Sequence, residues 1–185
     1  ITHQKQWYRF FSNGLLHADM SHLIFNMFAL YLFGGKVEAA FLDIFGEKGK
    51  LIYLLMYILA LAFCLLPTYS KNKENYHYKS LGASGAVSAV IFASILLDPL
   101  MGIGMMFIPV YVAGFIFGFL YLAISSWLDK RGQGNINHSA HIFGALFGIG
   151  FLIIICKLFS SFPVLQHFIG QISNMSPSDL IQFAR

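Results

Sequence analysis

Along the chain, apolar residues gather in five long runs, at 22–41, 51–68, 81–97, 107–128 and 139–159. Each approaches the ~20 residues that an α-helix needs to cross the hydrocarbon of a bilayer. The stretches between them, 42–50, 69–80, 98–106 and 129–138, are short, and two of them, YSKNKENYHYKS and DKRGQGNIN, are polar enough to belong in water. The pattern predicts an all-α bundle crossing a membrane five times. Residues 1–21 are too few and too polar to span; Trp7, Tyr8, Phe10 and Phe11 around Arg9 suit an interfacial segment, because aromatic rings collect at headgroup depth. Beyond 159, Val164, Leu165, Phe168, Ile169 and Ile172 recur at helical spacing behind Pro163. Ser176 is placed to cap a last short helix at Pro177. The expected organisation is a membrane domain over 1–160, with an interfacial loop at 1–21 and five spans at 22–159. An amphipathic tail at 161–185 then lies on the membrane or docks against the domain.

Composition agrees with this pattern. The chain is 57% hydrophobic and 11% charged, against roughly 25% charged in soluble domains, so the expected solvent is a lipid bilayer. The net charge of +4 is scattered over the loops and forms no basic stripe, which argues against a nucleic-acid partner. Cys64 and Cys156 lie inside apolar runs and read as small buried hydrophobes rather than a disulfide. Ile1 opens the chain in a polar-aromatic stretch, and the expectation is a fragment that lacks an earlier segment.

Counting crossings makes the polar residues informative. The first, third and fifth runs enter from the same side, so His22 and Asn26, then Ser84, then His138 and His141 share one depth in one leaflet. Ser84 lies in LGASGAVS, at the start of its run, where the first-turn amides of a helix have no partner and the dipole favours negative charge. Gly82, Gly85, Ala86, Ala89 and Ala93 give that helix a small surface, and Ala140, Gly144 and Gly148 give the last one another. Two such faces bring backbones close together, close enough for Ser84 to meet His141. A serine is a weak nucleophile without an adjacent base. His22 and Asn26, four residues apart on one face, are donors of the kind a developing oxyanion needs. His17 is placed to brace the loop before them.

Three other readings are open. The glycines around Ser84 can serve helix packing alone. His138 and His141 form an HxxH pair to which His17 and His22 could add nitrogens, a zinc constellation, although no HExxH with its glutamate base occurs. Asp98 has no second membrane aspartate to form an aspartyl dyad.

Three blocks, HADMSHLIFN followed by FGGKVE, then GASG, then AHIFGALFG, resemble in this order the rhomboid family of intramembrane serine proteases. The likeness runs from Tyr8 to about Phe151. It implies Ser84 as nucleophile, His141 as general base, and an oxyanion site from His22, Asn26 and the Ser84 amide. Gly82, Gly85, His17 and Arg9 would support them, and no cofactor or metal is called for. It also implies a six-helix core, cleavage of transmembrane segments of other proteins, and an active site opening outward. The expected location is thus a bacterial cytoplasmic (inner) membrane. The basic residues, slightly more numerous in the loops on the serine side, would by the positive-inside rule have put that side in the cytoplasm. The alternative is a non-catalytic relative that binds transmembrane segments in the same groove. Two positions depart from the family pattern. Its Trp-Arg pair stands here as Tyr8-Arg9, with Trp7 one place early. The aromatic four residues after the nucleophile is replaced by Ser88, so a neighbouring phenylalanine is expected to steady the histidine.

Overall fold

A computed structural model describes residues 5–75, 77–104, 110–131 and 136–183 of the chain. A short helix, α1 (Arg9–Ser12), leads into α2 (Met20–Phe45). Helix α2 begins at Asp19, whose carboxylate accepts the His22 amide at 2.8 Å, and it stops at Gly46 with φ +62°, a left-handed turn that glycine makes without strain. Helices α3 (Gly49–Phe63) and α4 (Leu66–Asn72) bring the chain back, α4 carrying Pro67 in its first turn. Then follow α5 (Ser84–Leu97), α6 (Gly114–Arg131) and α7 (His138–Phe159). Among the described residues, two stretches are long and apolar enough to cross a membrane, Met20–Asn72, in which α2, α3 and α4 succeed one another, and α7; α5 is a shorter apolar helix.

Helix α5 is the axis of the bundle. Every residue from Gly85 to Leu96 is buried, as expected of a helix apolar on all sides. Its closest partner is α7, with α2, α3, α6 and a later helix arranged around it. Val90 and Leu96 of α5 pack with Val37 and Phe41 of α2, Met56 of α3 and Leu152 and Cys156 of α7. Cys64 and Cys156 are both buried and free.

The α5–α7 contact is set by small residues. A β-carbon on Gly144 would run into the Gly85 carbonyl, and one on Gly148 into the carbonyl of Ala89. A β-carbon on Gly85 would lie 2.5 Å from the Cys64 sulfur and 3.1 Å from the Ala140 carbonyl oxygen. The helices thus meet backbone to backbone.

The fold differs from an all-α expectation at one end. Strands β1 (Gly102–Gly104) and β2 (Val110–Ala113) pair antiparallel, and β3 (Ile181–Phe183) of the tail adds to β2. Hydropathy alone makes the run at 107–128 helical from its start; residues 107–109 lie outside the described chain, and the next four form β2. The β-branched Val110 and Val112 suit a strand, and the helix begins only at Gly114. The tail docks through α8 (Val164–Ser173), where Gln171 donates to the Leu97 carbonyl at 3.2 Å. Ser176 makes a reciprocal capping box with Asp179 at the head of α9 (Pro177–Leu180).

Gly148→Val should lower the unfolding midpoint in detergent by the equivalent of about 2 kcal/mol or more, because the obstruction is backbone and not a movable side chain. Gly150, where an added β-carbon would find nothing within 4 Å, is the control on the same helix. Gly150→Ala should leave the midpoint unchanged or slightly raised. Equal behaviour of the two variants would contradict the close contact.

Candidate active site

Ser84 is the first residue of α5 and His141 the fourth of α7. The close approach of the two helices brings the Ser84 Oγ to 2.7 Å from His141 Nε2. With the hydroxyl donating, Nε2 accepts and the ring proton resides on Nδ1. No side chain caps α5, so the amides of its first turn face the region beside Ser84 without partners of their own.

The chain enters α5 through Gly82, whose φ is +103°. A β-carbon there would also lie 2.5 Å from His22 Cε1 and 2.8 Å from its Nε2. Two independent constraints, backbone conformation and the His22 ring, therefore demand glycine at this position. The Gly82 amide donates to the Asn13 carbonyl at 3.1 Å, fixing the approach to Ser84 against the segment before α2. His22 thus packs directly on the residue two before the nucleophile candidate. Asn26 is buried, and its amide nitrogen donates to the His22 carbonyl at 2.9 Å. A carboxamide has two N–H groups, so one is spent within the helix. The His17 ring stands edge-on to His22, with centroids 5.1 Å apart.

Of the other sequence candidates, Arg9 lies outside the Ser84–His141 contact and His138 adjoins it. Arg9 is exposed on α1 and lines a cavity of about 670 Å³ with Lys73, Lys79 and Tyr78; neither Ser84 nor His141 lines it. Trp7 and Phe10 hold that segment against Tyr69 of α4, with centroids at 6.3 and 5.2 Å. His138 is edge-on to His141 at 5.9 Å. Among the described residues, no group of three or more His, Cys, Asp or Glu gathers as a metal site would need.

Two features were not anticipated from the sequence. The first is the aromatic partner of His141. It is a tyrosine from α6 rather than a phenylalanine: the Tyr121 ring stacks on His141 with centroids 6.2 Å apart and planes 24° from parallel. The second is Asn137, the N-cap of α7. Its side-chain oxygen accepts from the Ala140 amide and the Thr68 hydroxyl, each at 3.0 Å, and its nitrogen donates to the Ser80 hydroxyl at 3.0 Å. One carboxamide thereby ties α4, the approach to α5 and the head of α7 together. An asparagine directly before an apolar run is a capping signal that could have flagged it.

Comparison with known proteins gives this arrangement its family. The rhomboid domain family matches residues 4–158, and the protein belongs to the rhomboid family, whose members are embedded in membranes. It is 28% identical over 143 residues to RHOMBOID-like protein 12, mitochondrial, of Arabidopsis thaliana, covering 72% of this chain and 42% of the relative. It is 27% identical over 164 residues to Rhomboid-like protein 11, chloroplastic, from the same plant, covering 85% of this chain and 54% of the relative. The chain spans about half the length of these curated relatives. No solved structure gives a significant match. Both relatives carry organellar names, so the comparisons support a membrane location without singling out a bacterial inner membrane.

Asn137→Ala removes the cap and leaves the Thr68 and Ser80 hydroxyls short of a partner. The expected cost is about 1–2 kcal/mol, measured as a lowered unfolding midpoint in detergent. An unchanged midpoint would show that Asn137 does not hold the head of α7.

Proposed function

We propose that the protein is an intramembrane serine endopeptidase that cleaves transmembrane segments of other membrane proteins. The observation that carries this reading is the 2.7 Å contact between Ser84 Oγ and His141 Nε2 at the heads of two apolar helices.

The Ser84 hydroxyl attacks the carbonyl carbon of a substrate peptide bond while His141 Nε2 takes its proton. Charge develops on the carbonyl oxygen, and the Ser84 amide, the remaining Asn26 N–H and the His22 ring are the donors available to it. The tetrahedral adduct collapses as the C–N bond breaks, and His141 returns its proton to the departing amine. Water, deprotonated in turn by His141, then hydrolyses the acyl-enzyme and frees Ser84. A helical peptide bond is shielded and hydrogen-bonded, so the substrate segment must unwind locally. Substrates with helix-weakening residues near the cut are therefore favoured. Water enters from the loop side of the membrane, at the heads of α5 and α7, which we assign to the outer face of the membrane that houses the protein.

Purified protein should cut a labelled single-span substrate, and Ser84→Ala should reduce turnover to background. His141→Ala should lose nearly as much, because nucleophile and base act as a unit. Cleavage that survives Ser84→Ala rules out the mechanism. A parent protein that binds the substrate and leaves it intact favours a segment-binding role instead.

A further inference from the structure

Ser88 sits one turn below Ser84 and is 1% exposed. Its hydroxyl donates to the Ser84 carbonyl at 2.9 Å and lies 2.7 Å from the Tyr121 hydroxyl. Since the serine proton is committed to the carbonyl, the phenol is the donor in the second bond. Tyr121 is further held between Phe92 of α5, with centroids at 5.6 Å, and Phe117 of its own helix, at 6.0 Å. Its ring then meets the His141 imidazole, whose Nε2 faces the Ser84 hydroxyl. The contacts form a loop that leaves Ser84 by its carbonyl and returns to it by its hydroxyl.

We propose that Tyr121 is the positioning residue for His141, with Ser88 as its anchor, so that the alignment of the dyad depends on where α6 sits in the bundle. The inference rests on reading Ser84 and His141 as a dyad. A serine at 88 and a tyrosine at 121 make sense together. An aromatic ring on α5 would have to share the space beneath the imidazole with Tyr121, whereas a serine leaves that space open and supplies an acceptor for the phenol. An imidazole left to itself has more than one rotamer, and only one points Nε2 at Ser84. The outer face of α6 carries Phe119, Ile124 and Trp127, all more than half exposed. A displacement of α6 outward would withdraw the ring from His141 and lower turnover without touching either reacting residue.

The test uses the full chain in detergent micelles, with steady-state cleavage of the labelled substrate. Tyr121→Phe keeps the ring and loses the hydrogen bond, and Ser88→Ala removes the same bond from the other side. Each should lower kcat by roughly three- to tenfold with little change in KM, a loss confined to the transition state. The double variant should be no worse than either single one, because both break one interaction. Tyr121→Leu, which removes the ring, should lose on the order of a hundredfold in kcat, the scale of a misaligned catalytic group. Ser88→Tyr combined with Tyr121→Leu moves the ring to α5 and should recover about a tenth or more of parental kcat. A Tyr121→Leu kcat within twofold of the parent, or full additivity in the double variant, would overturn the proposal. The ring protons of isotope-labelled His141 supply a readout independent of turnover, because a stacked phenol shifts them upfield. If the parent cleaves nothing but that shift is present and vanishes in Tyr121→Leu, the protease reading falls and the positioning contact stands. If the parent cleaves through Ser84 and the shift is the same in both proteins, the positioning contact alone falls.

Discussion

The proposed chemistry of this molecule depends on how closely two helix backbones approach. Gly144 and Gly148 lie on the carbonyls of Gly85 and Ala89 with no room for a β-carbon. In lipid there is no hydrophobic drive to press helices together, so packing of small residues must provide the attraction. That packing places the heads of α5 and α7 side by side and brings the Ser84 hydroxyl within hydrogen-bond reach of His141. Larger residues would move the helices apart and separate the two side chains while leaving each helix intact. The same packing serves the fold and the proposed chemistry.

The rest of the site is arranged around that approach. Gly82 takes a left-handed conformation and lets the His22 ring lie against it, so the oxyanion candidates on α2 reach the same end of the bundle. Asn137 fastens α7 to α4 and to Ser80. Tyr121 closes the group from the fourth side, its hydroxyl on Ser88. Side chains of α2, α5, α6 and α7, with α4 bracing α7, thus surround a site whose proposed reacting atoms are two. Sites held from several rigid elements keep their geometry better than sites carried on loops.

Much of this was legible in the sequence for identifiable reasons. Hydropathy marks helices well where a run is long and uninterrupted, as in α2 and α7, and the alternation of direction puts His22, Ser84 and His141 at one end. The small residues of α5 and α7 announced the close contact. The strands were hidden because a run such as 107–128 is equally apolar as helix or as strand; only the pairing of Val110–Ala113 with Gly102–Gly104 and with a tail segment some seventy residues away decides between them. Tyr121 was hidden for a related reason. Nothing in the local pattern of α6 distinguishes a tyrosine that stacks on a histidine from one that packs in the core. Ser88 held the clue, since a serine where an aromatic belongs implies that a ring comes from elsewhere, but not from which helix.

The proposed chemistry requires Ser84 to be a nucleophile activated by His141. A fluorophosphonate probe, which reacts covalently only with an activated serine, reads this without any knowledge of the natural substrate. Labelling is expected at Ser84 in the parent protein, with none in Ser84→Ala and almost none in His141→Ala. Labelling of the His141→Ala variant as fast as the parent would contradict that activation.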